Sequence, residues 1–521
     1  MINSRMALPS GSGAPLSRRR FVQAGCGAAS AAWLAPGFGG ERAPRRPNVL
    51  YVFSDMQRAG SMACYGDPNV RTPALDAFAA QGARLDAAMS NTPVCCPHRA
   101  SLMTGLYSHH HGVVSNNVRF IRKARGFAEQ FRDAGYVTGY AGKWHIPAGY
   151  GSEDSMPLGF PADQAGERAA GRAASRPHYR TVTVRDPQSG RMVEKEIYAP
   201  SLQTDRAIRF IEEKSKGPAP WLFVLSWVPP HTPYAAPPEF RRHYDGDLRL
   251  PPNVPPGPPA EFARKALPDY YGMVESLDAE FSRLLDALKR AGVAGDTIVV
   301  YSSDHGDMVG CHGYKAKRWP HEESARVPFL IRYPRAIPAG RVLCQPFSTV
   351  DVYPTLAALA GLKPPPEIDG LDYSPLLTGQ DAKAPRGYAF LQMMYAYVPW
   401  PGWRALRTGE YSYARTAAGP WLLFDMRKDP CQMKNLVDDR GSRAVVEEMD
   451  RRLAAVMKES GDSWEHRAQT GDIASWMPGG PKQRSQNLGV PWPGAQWRGM
   501  TETGSVGGRK ARRGRGKKTR G

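Results

Sequence analysis

Cys95 precedes Pro97 by two residues and Arg99 by four in the run Thr92-Pro93-Val94-Cys95-Cys96-Pro97-His98-Arg99-Ala100-Ser101-Leu102-Met103-Thr104-Gly105. Proline has no N–H to leave unpaired, so Pro97 suits a first helical position, and Ala100 to Met103 propagate a helix. Cys95 then sits beside a helix N-terminus, where free N–H groups and the macrodipole favour an anion. Arg99, about one turn on, points back to the same side. A nucleophile, a guanidinium and a helix N-terminus thus converge on one anionic group. The window alone fits equally well a pair of small buried cysteines, so other reactive residues have to decide.

Asn48-Val49-Leu50-Tyr51-Val52-Phe53-Ser54-Asp55 sets five apolar residues before Ser-Asp, and Thr297-Ile298-Val299-Val300-Tyr301-Ser302-Ser303-Asp304-His305 repeats the design. Such continuous runs predict strands buried on both faces of a parallel sheet. Open α/β sheets hold ligands outside the carboxyl ends of their strands. Side by side, these two strands aim Asp55 and Asp304 into one crevice. Two carboxylates there repel unless a cation lies between them, and hard oxygen donors suit Ca2+ or Mg2+. Thr72-Pro73, then Leu75, Phe78 and Ala79 with a stop at Gly82, predict the helix that βαβ winding needs after the first strand. A further apolar strand from Trp221 to Trp227 leads into Pro229-Pro230-His231-Thr232-Pro233, where prolines stiffen the loop that mounts a histidine.

Cys-x-Pro-x-Arg followed by Ala-Ser-Leu-Met-Thr-Gly resembles the signature of the formylglycine-dependent sulfatases, within the alkaline phosphatase superfamily. The resemblance covers about residues 47–460, with its motifs in the family's order. It implies that a formylglycine-generating enzyme oxidises Cys95 to Cα-formylglycine, whose hydrated aldehyde attacks the sulfur of a sulfate ester and then expels sulfate. It implies a divalent metal, Ca2+ ahead of Mg2+ or Mn2+, held by Asp55, Cys95, Asp304 and His305. Met56 stands where the family has Asp or Gln, and His98 where it usually has Ser. Gly142-Lys143-Trp144-His145 is similar to the family element in which Lys143 and His145 hold the sulfate. His231 matches the acid that protonates the leaving alcohol. Lys317, ahead of Glu322-Glu323 and Arg326-Val327-Pro328, matches a lysine on the sulfate, with Lys315 its near competitor. Arg99, Lys143 and Lys317 would stabilise the non-bridging oxygens. His109 and His111 fall where the family has histidines beside the active-site helix.

The implied fold is α/β: a large mixed, mostly parallel sheet sandwiched by helices, with a smaller C-terminal antiparallel-sheet subdomain. The implied substrates are aryl sulfates or sulfated glycans. Asp304-His305 also occurs in relatives that hydrolyse phosphonate monoesters or phosphodiesters, which makes that chemistry the second reading.

The 521 residues, 41% of them hydrophobic, are enough for a large α/β domain and a smaller one. The chain divides into a leader (1–40), a catalytic domain (45–380), a C-terminal α+β subdomain (381–465) and an extended basic tail (466–521). Eight Lys/Arg without an acid at 509–521, and seven Arg against one Glu at 1–46, supply 14 of the 20 net positive charges. Basicity therefore belongs to the ends, where a solvated terminus is the simplest reading, and no nucleic-acid partner is expected. Ser17-Arg18-Arg19-Arg20-Phe21-Val22-Gln23, followed by a weakly apolar Ala/Gly run, resembles a twin-arginine export signal and predicts a periplasmic or secreted protein. No segment is apolar for long enough to span a bilayer. Seven cysteines without a CxxC pair exclude a zinc-finger or disulfide scaffold.

Met273, Val274, Leu277, Phe281, Leu284, Leu285 and Leu288 predict an amphipathic core helix from Pro268 to Ala291. Residues 164–200 and 235–260 read as surface loops around the substrate mouth. Beyond Pro364-Pro365-Pro366, short strands over Arg404–Arg415 and Trp421–Met426 precede a helix from Arg443 to about Lys458.

Overall fold

The computed structural model describes residues 46–116, 118, 120, 125–146, 158–161, 172–173, 176–186, 190–394 and 402–464. The export signal read at 1–40 and the basic tail read at 466–521 lie outside them.

Seven strands form the main sheet: β1 (Asn48–Asp55), β2 (Ala83–Leu85), β3 (Val137–Gly142), β4 (Trp221–Pro230), β5 (Thr297–Ser303), β6 (Phe329–Arg332) and β7 (Arg341–Leu343). Their order is β7-β2-β6-β5-β1-β4-β3. The central strands β5, β1, β4 and β3 are parallel, whereas β6 runs antiparallel to both of its neighbours. The continuous apolar run of β1 is explained by burial on two sides. Val49, Tyr51 and Phe53 join Leu222, Val224, Ile298 and Val300 in one core. Leu50 and Val52 join Phe223, Leu225, Val299 and Tyr301 in the other.

Helices cover both faces. Helices α1 (Pro73–Ala80), α3 (Ala199–Lys214) and α4 (Pro258–Arg290) place Leu75, Phe210 and Phe281 in the second core. Helices α2 (Cys95–Thr104) and α5 (Thr349–Leu359) place Leu102 and Leu356 in the first. A separate antiparallel sheet follows, β8 (Tyr388–Met393), β9 (Trp403–Thr408), β10 (Tyr411–Thr416) and β11 (Gly419–Asp425) in that order. Helix α6 (Arg443–Glu459) packs Leu453 against Leu406, Tyr413 and Leu423 of this sheet. This is the mixed α/β architecture with a small C-terminal antiparallel sheet that the sequence predicts.

Three sequence expectations are corrected. Helix α4 starts at Pro258, ten residues ahead of the predicted start, and carries Pro268 inside it. Ala263, Leu267, Tyr270 and Tyr271 extend its buried stripe past the proline, so packing overrides a penalty of about 3 kcal/mol. Within 164–200, Tyr179–Arg185 pairs antiparallel with Met192–Tyr198. The signal was Thr181-Val182-Thr183-Val184, a β-branched run masked by Arg-rich surroundings. Likewise Pro238–Arg241 is a short helix inside the expected 235–260 loop.

At the carboxyl edge of the sheet the chain turns sharply. Gly142 has φ +96° and ends β3, and the next residue, Lys143, donates its N–H to the Ser226 carbonyl at 2.9 Å. A Cβ at position 142 would lie 1.9 Å from that carbonyl oxygen. Gly142→Ala is therefore expected to destabilise the protein by at least about 1–3 kcal/mol and to displace Lys143. Urea denaturation, read beside turnover, checks both effects.

Candidate active site

Helix α2 begins at Cys95 itself, with Val94 as its N-cap in extended conformation and all ten helical residues buried. Pro97 is thus its third residue rather than its first. The helix head faces the carboxyl ends of β1 and β5, and four groups meet the Cys95 sulfur. Lys317 Nζ lies at 2.9 Å, His305 Nε2 at 3.2 Å, Asp55 Oδ1 at 3.6 Å and Lys143 Nζ at 3.9 Å. Burial pushes a thiol up. Lys317, Lys143 and His305, with a hydrogen bond from His145, outweigh it and hold Cys95 well below the ordinary thiol range.

Parallel pairing of Ser54 with Ser303 sets Asp55 and Asp304 side by side, and neither has solvent exposure. Burial and the neighbouring Asp55 raise Asp304. Asp55 stays below the usual carboxylate range: burial and Cys95 push it up, but Lys143, His231 and Lys317 pull it further down. Arg99 spans the pair, with Nη2 at 3.2 Å from Asp55 Oδ2 and 3.0 Å from Asp304 Oδ2. Its Nη1 donates at 2.7 Å to both the Lys143 carbonyl and Ser226 Oγ. The guanidinium expected on the sulfate is therefore engaged in bracing the two carboxylates.

Asp55, Cys95, Asp304 and His305 turn one ligand atom each to a common point, all within 4.8 Å of one another. His305 Nδ1 donates to the Gly306 carbonyl at 2.9 Å, which leaves the Nε2 lone pair facing the cluster. Two buried carboxylates, an imidazole nitrogen and position 95 are a donor set that fits a divalent cation.

Lys317 rather than Lys315 reaches Cys95, since Lys315 Nζ lies 4.4 Å from the centre of the Phe262 ring. The backbone that presents Lys317 is bent on both sides, with φ +58° at Ala316 and +84° at Arg318. The small sheet holds this loop: Trp403 Nε1 donates to the Arg318 carbonyl at 2.9 Å, and Arg407 pairs with Glu322 at 2.9 Å. His231 is half-buried, with Nδ1 donating to the Thr232 carbonyl at 2.7 Å. Burial lowers its pKa, but Asp55 and a hydrogen bond to Cys95 raise it further, so the net shift is upward. His145 is half-buried, and its Nδ1 has no protein partner.

Three histidines serve the scaffold. His111 Nε2 lies 3.0 Å from Ser101 Oγ, and His109 Nε2 lies 2.7 Å from the Ser460 carbonyl. His98 Nδ1 meets Ser90 Oγ at 2.8 Å and Thr349 Oγ1 at 3.2 Å, and burial holds its pKa well below the imidazole range. The sequence reading missed Ser226 and Tyr140. Ser226 anchors Arg99, and Tyr140 donates to the Lys143 carbonyl at 2.5 Å. Both lie near the carboxyl ends of their strands, which was the available signal.

The family model for sulfatases matches residues 47–362, and the model for the N-sulphoglucosamine sulphohydrolase C-terminal region matches 310–459. An ulvan-active sulfatase of Formosa agariphila is 34% identical over 81% of this chain and 83% of its own length. An N-acetylglucosamine-6-O-sulfatase of Bacteroides thetaiotaomicron is 26% identical over 75% of this chain and 83% of its own. Among solved structures, the phosphonate monoester hydrolase of Agrobacterium radiobacter superposes with a TM-score of 0.67 at 25% identity, covering 80% of this chain and 96% of its own.

Removing the guanidinium leaves two buried carboxylates without their brace. Arg99→Ala is expected to cost about 3–5 kcal/mol and Ser226→Ala only about 1 kcal/mol, both measurable by urea denaturation in EDTA.

Proposed function

Because this chain belongs to the sulfatase family and is a sulfuric ester hydrolase, we propose that it cleaves a carbohydrate or aryl sulfate ester, with position 95 as nucleophile in its formylglycine form. One observation carries the reading. A single buried sulfur, that of Cys95, is met by the Lys317 and Lys143 ammonium groups within 3.9 Å, and an anionic ester is what such a socket suits. Oxidised to formylglycine and hydrated, the side chain supplies one hydroxyl to attack sulfur and a second whose deprotonation releases sulfate. A divalent cation held by Asp55, Asp304, His305 and position 95 supplies Lewis-acid polarisation when bound.

The protein's own groups then have distinct tasks. Lys143 and Lys317 bind the non-bridging oxygens and stabilise the charge that grows on them. His145 orients the ester. Arg99 fixes Asp55 and Asp304, so its contribution to the reaction is to hold the electrostatic frame. His231 donates a proton to the departing alcohol from Nε2, because Nδ1 is committed to the Thr232 carbonyl.

The relatives named for ulvan and for N-acetylglucosamine-6-O-sulfate favour a carbohydrate sulfate. Residues 45–380 form the catalytic domain of this reading and 381–465 its subdomain. The twin-arginine-type leader makes the enzyme exported, with Cys95 oxidised by a formylglycine-generating enzyme beforehand. Among the described residues no helix is long and apolar enough to cross a membrane.

The likeness to the phosphonate monoester hydrolase, together with His305 in the cluster, supports the second reading. Protein co-produced with a formylglycine-generating enzyme should show an aldehyde at position 95 by mass spectrometry. It should also turn over an aryl sulfate faster than an aryl phosphonate; the reverse order would establish the second reading instead.

The histidine gives a pH signature. Its folded pKa is raised, so its stabilising charge is fully present below the ordinary imidazole value of about 6.5 and is lost as pH rises through the raised one. As an acid catalyst it must be protonated, so kcat falls on the alkaline side as the imidazole loses its proton. His231→Ala is expected to remove that fall and lower kcat about 10²–10⁴-fold for alkyl esters, and less for nitrophenyl sulfate, whose leaving group needs little protonation.

A further inference from the structure

His231 is delivered by a segment that burial does not hold. The imidazole is half-buried, and Thr232 and Pro233 after it are exposed. Its Nδ1 donates to the Thr232 carbonyl at 2.7 Å, so the ring points where that carbonyl lets it point. A reacting group misplaced by about 1 Å can lose about 10²-fold in rate. Exposed residues lend this turn little apolar packing, so hydrogen bonds have to fix it.

Two side chains hold the residues that follow. His178, just ahead of the strand Tyr179–Arg185, donates Nε2–H to the Pro233 carbonyl at 2.9 Å. Tyr234 donates its hydroxyl to Asp307 Oδ2 at 2.7 Å. The second hold is the firmer, because its acceptor is itself fixed. Asp307 has no solvent exposure, and its Oδ1 accepts the Val309 N–H at 3.3 Å. Its chain neighbours are tied as well, Gly306 N–H to the Ser324 carbonyl at 2.8 Å and Met308 N–H to the Ala316 carbonyl at 2.7 Å. The Tyr234 ring packs edge-on to Tyr270 at 6.0 Å and lies 6.5 Å from Phe262, both on α4. Only its hydroxyl joins the segment after His231 to the loop of Asp304 and His305.

We propose that Tyr234 is a positioning residue for the acid, its bond to Asp307 setting the His231 ring against the loop that carries Asp304 and His305. The proposal rests on the sulfatase reading with His231 as proton donor, and deepens it. His231 follows β4 and Asp307 follows β5, and β1 lies between those strands. Strand pairing therefore leaves the spacing of the two loops open above the sheet, and the tether closes it. Tyr234 acts only through His231, so its effect is confined to protonation of the leaving group.

The test compares wild type, Tyr234→Phe, His231→Ala and the double variant on an alkyl sulfate and on nitrophenyl sulfate, each full chain co-produced with a formylglycine-generating enzyme. Tyr234→Phe keeps the ring packing and removes one hydroxyl. It is expected to lower kcat about 10-fold on the alkyl ester and less than about 2-fold on nitrophenyl sulfate, with KM unchanged. In the His231→Ala background the same change should have no further effect on either ester. Asp307→Asn, which offers a neutral acceptor, should give the same selective loss at about 3-fold, and it answers in place of Tyr234→Phe if that variant does not fold. Equal losses on the two esters, or a loss that persists without His231, would overturn the proposal. A second readout needs no turnover. With isotope-labelled histidine, the Nδ1–H resonance that His231→Ala deletes should exchange with water about 10-fold faster in Tyr234→Phe than in wild type; an unchanged rate would also overturn it. Wild type that cleaves neither ester would sink the sulfatase reading, and the exchange rate would still decide for or against the tether.

Discussion

Two carboxylates with no access to water, at the ends of neighbouring strands, are a liability that the rest of the molecule is built to neutralise. Strand register forces Asp55 and Asp304 together, and burial makes their repulsion strong. Arg99 answers it from helix α2 and Lys143 from the turn after β3, both by direct hydrogen bonds, and Lys317 adds its charge from the loop before Glu322. Those cations arrive from three widely separated parts of the chain. Helix α2 is buried along its whole length because its head must reach this point between the strand ends.

The centre of this arrangement was legible in the sequence, because its parts are local. A strand that ends in Ser-Asp announces itself through a continuous apolar run, and both such strands are adjacent and parallel as that pattern predicts. The Cys-x-Pro-x-Arg window marks a helix head within a few residues. The residues that refine the site are set by tertiary packing and carry no local mark. Ser226 is one serine in an apolar strand until parallel pairing of β1 with β4 brings it to Arg99. Lys315 and Lys317 lie two apart in one loop, and only the backbone bends at Ala316 and Arg318 turn the second of them inward. Arg99 shows the same limit in another way. Its place was readable, but the spacing cannot tell a guanidinium that grips an ester from one that braces two aspartates.

The misread helix start has a similar cause. Proline at the first turn is a good local rule, and Pro268 obeys it in isolation. Tyr270 and Tyr271 sit just after it, and their burial against Tyr244 and Val309 rewards continuing the helix in both directions. Tyr270 also connects that packing to the site, donating its hydroxyl to the Met56 carbonyl at 2.8 Å and accepting the Arg58 N–H at 3.0 Å. A long helix read only as core thereby fixes the backbone from which Asp55 emerges.

The small antiparallel sheet reaches the Lys317 loop through Trp403 and Arg407. Evolution is often pictured as exchanging such peripheral sheets between scaffolds like interchangeable parts. Here an exchange would have to carry an indole donor and a guanidinium at matching heights, or the lysine would lose its footing. In lineages that share the main sheet, the C-terminal sheet should therefore diverge only in step with the segment around Lys317.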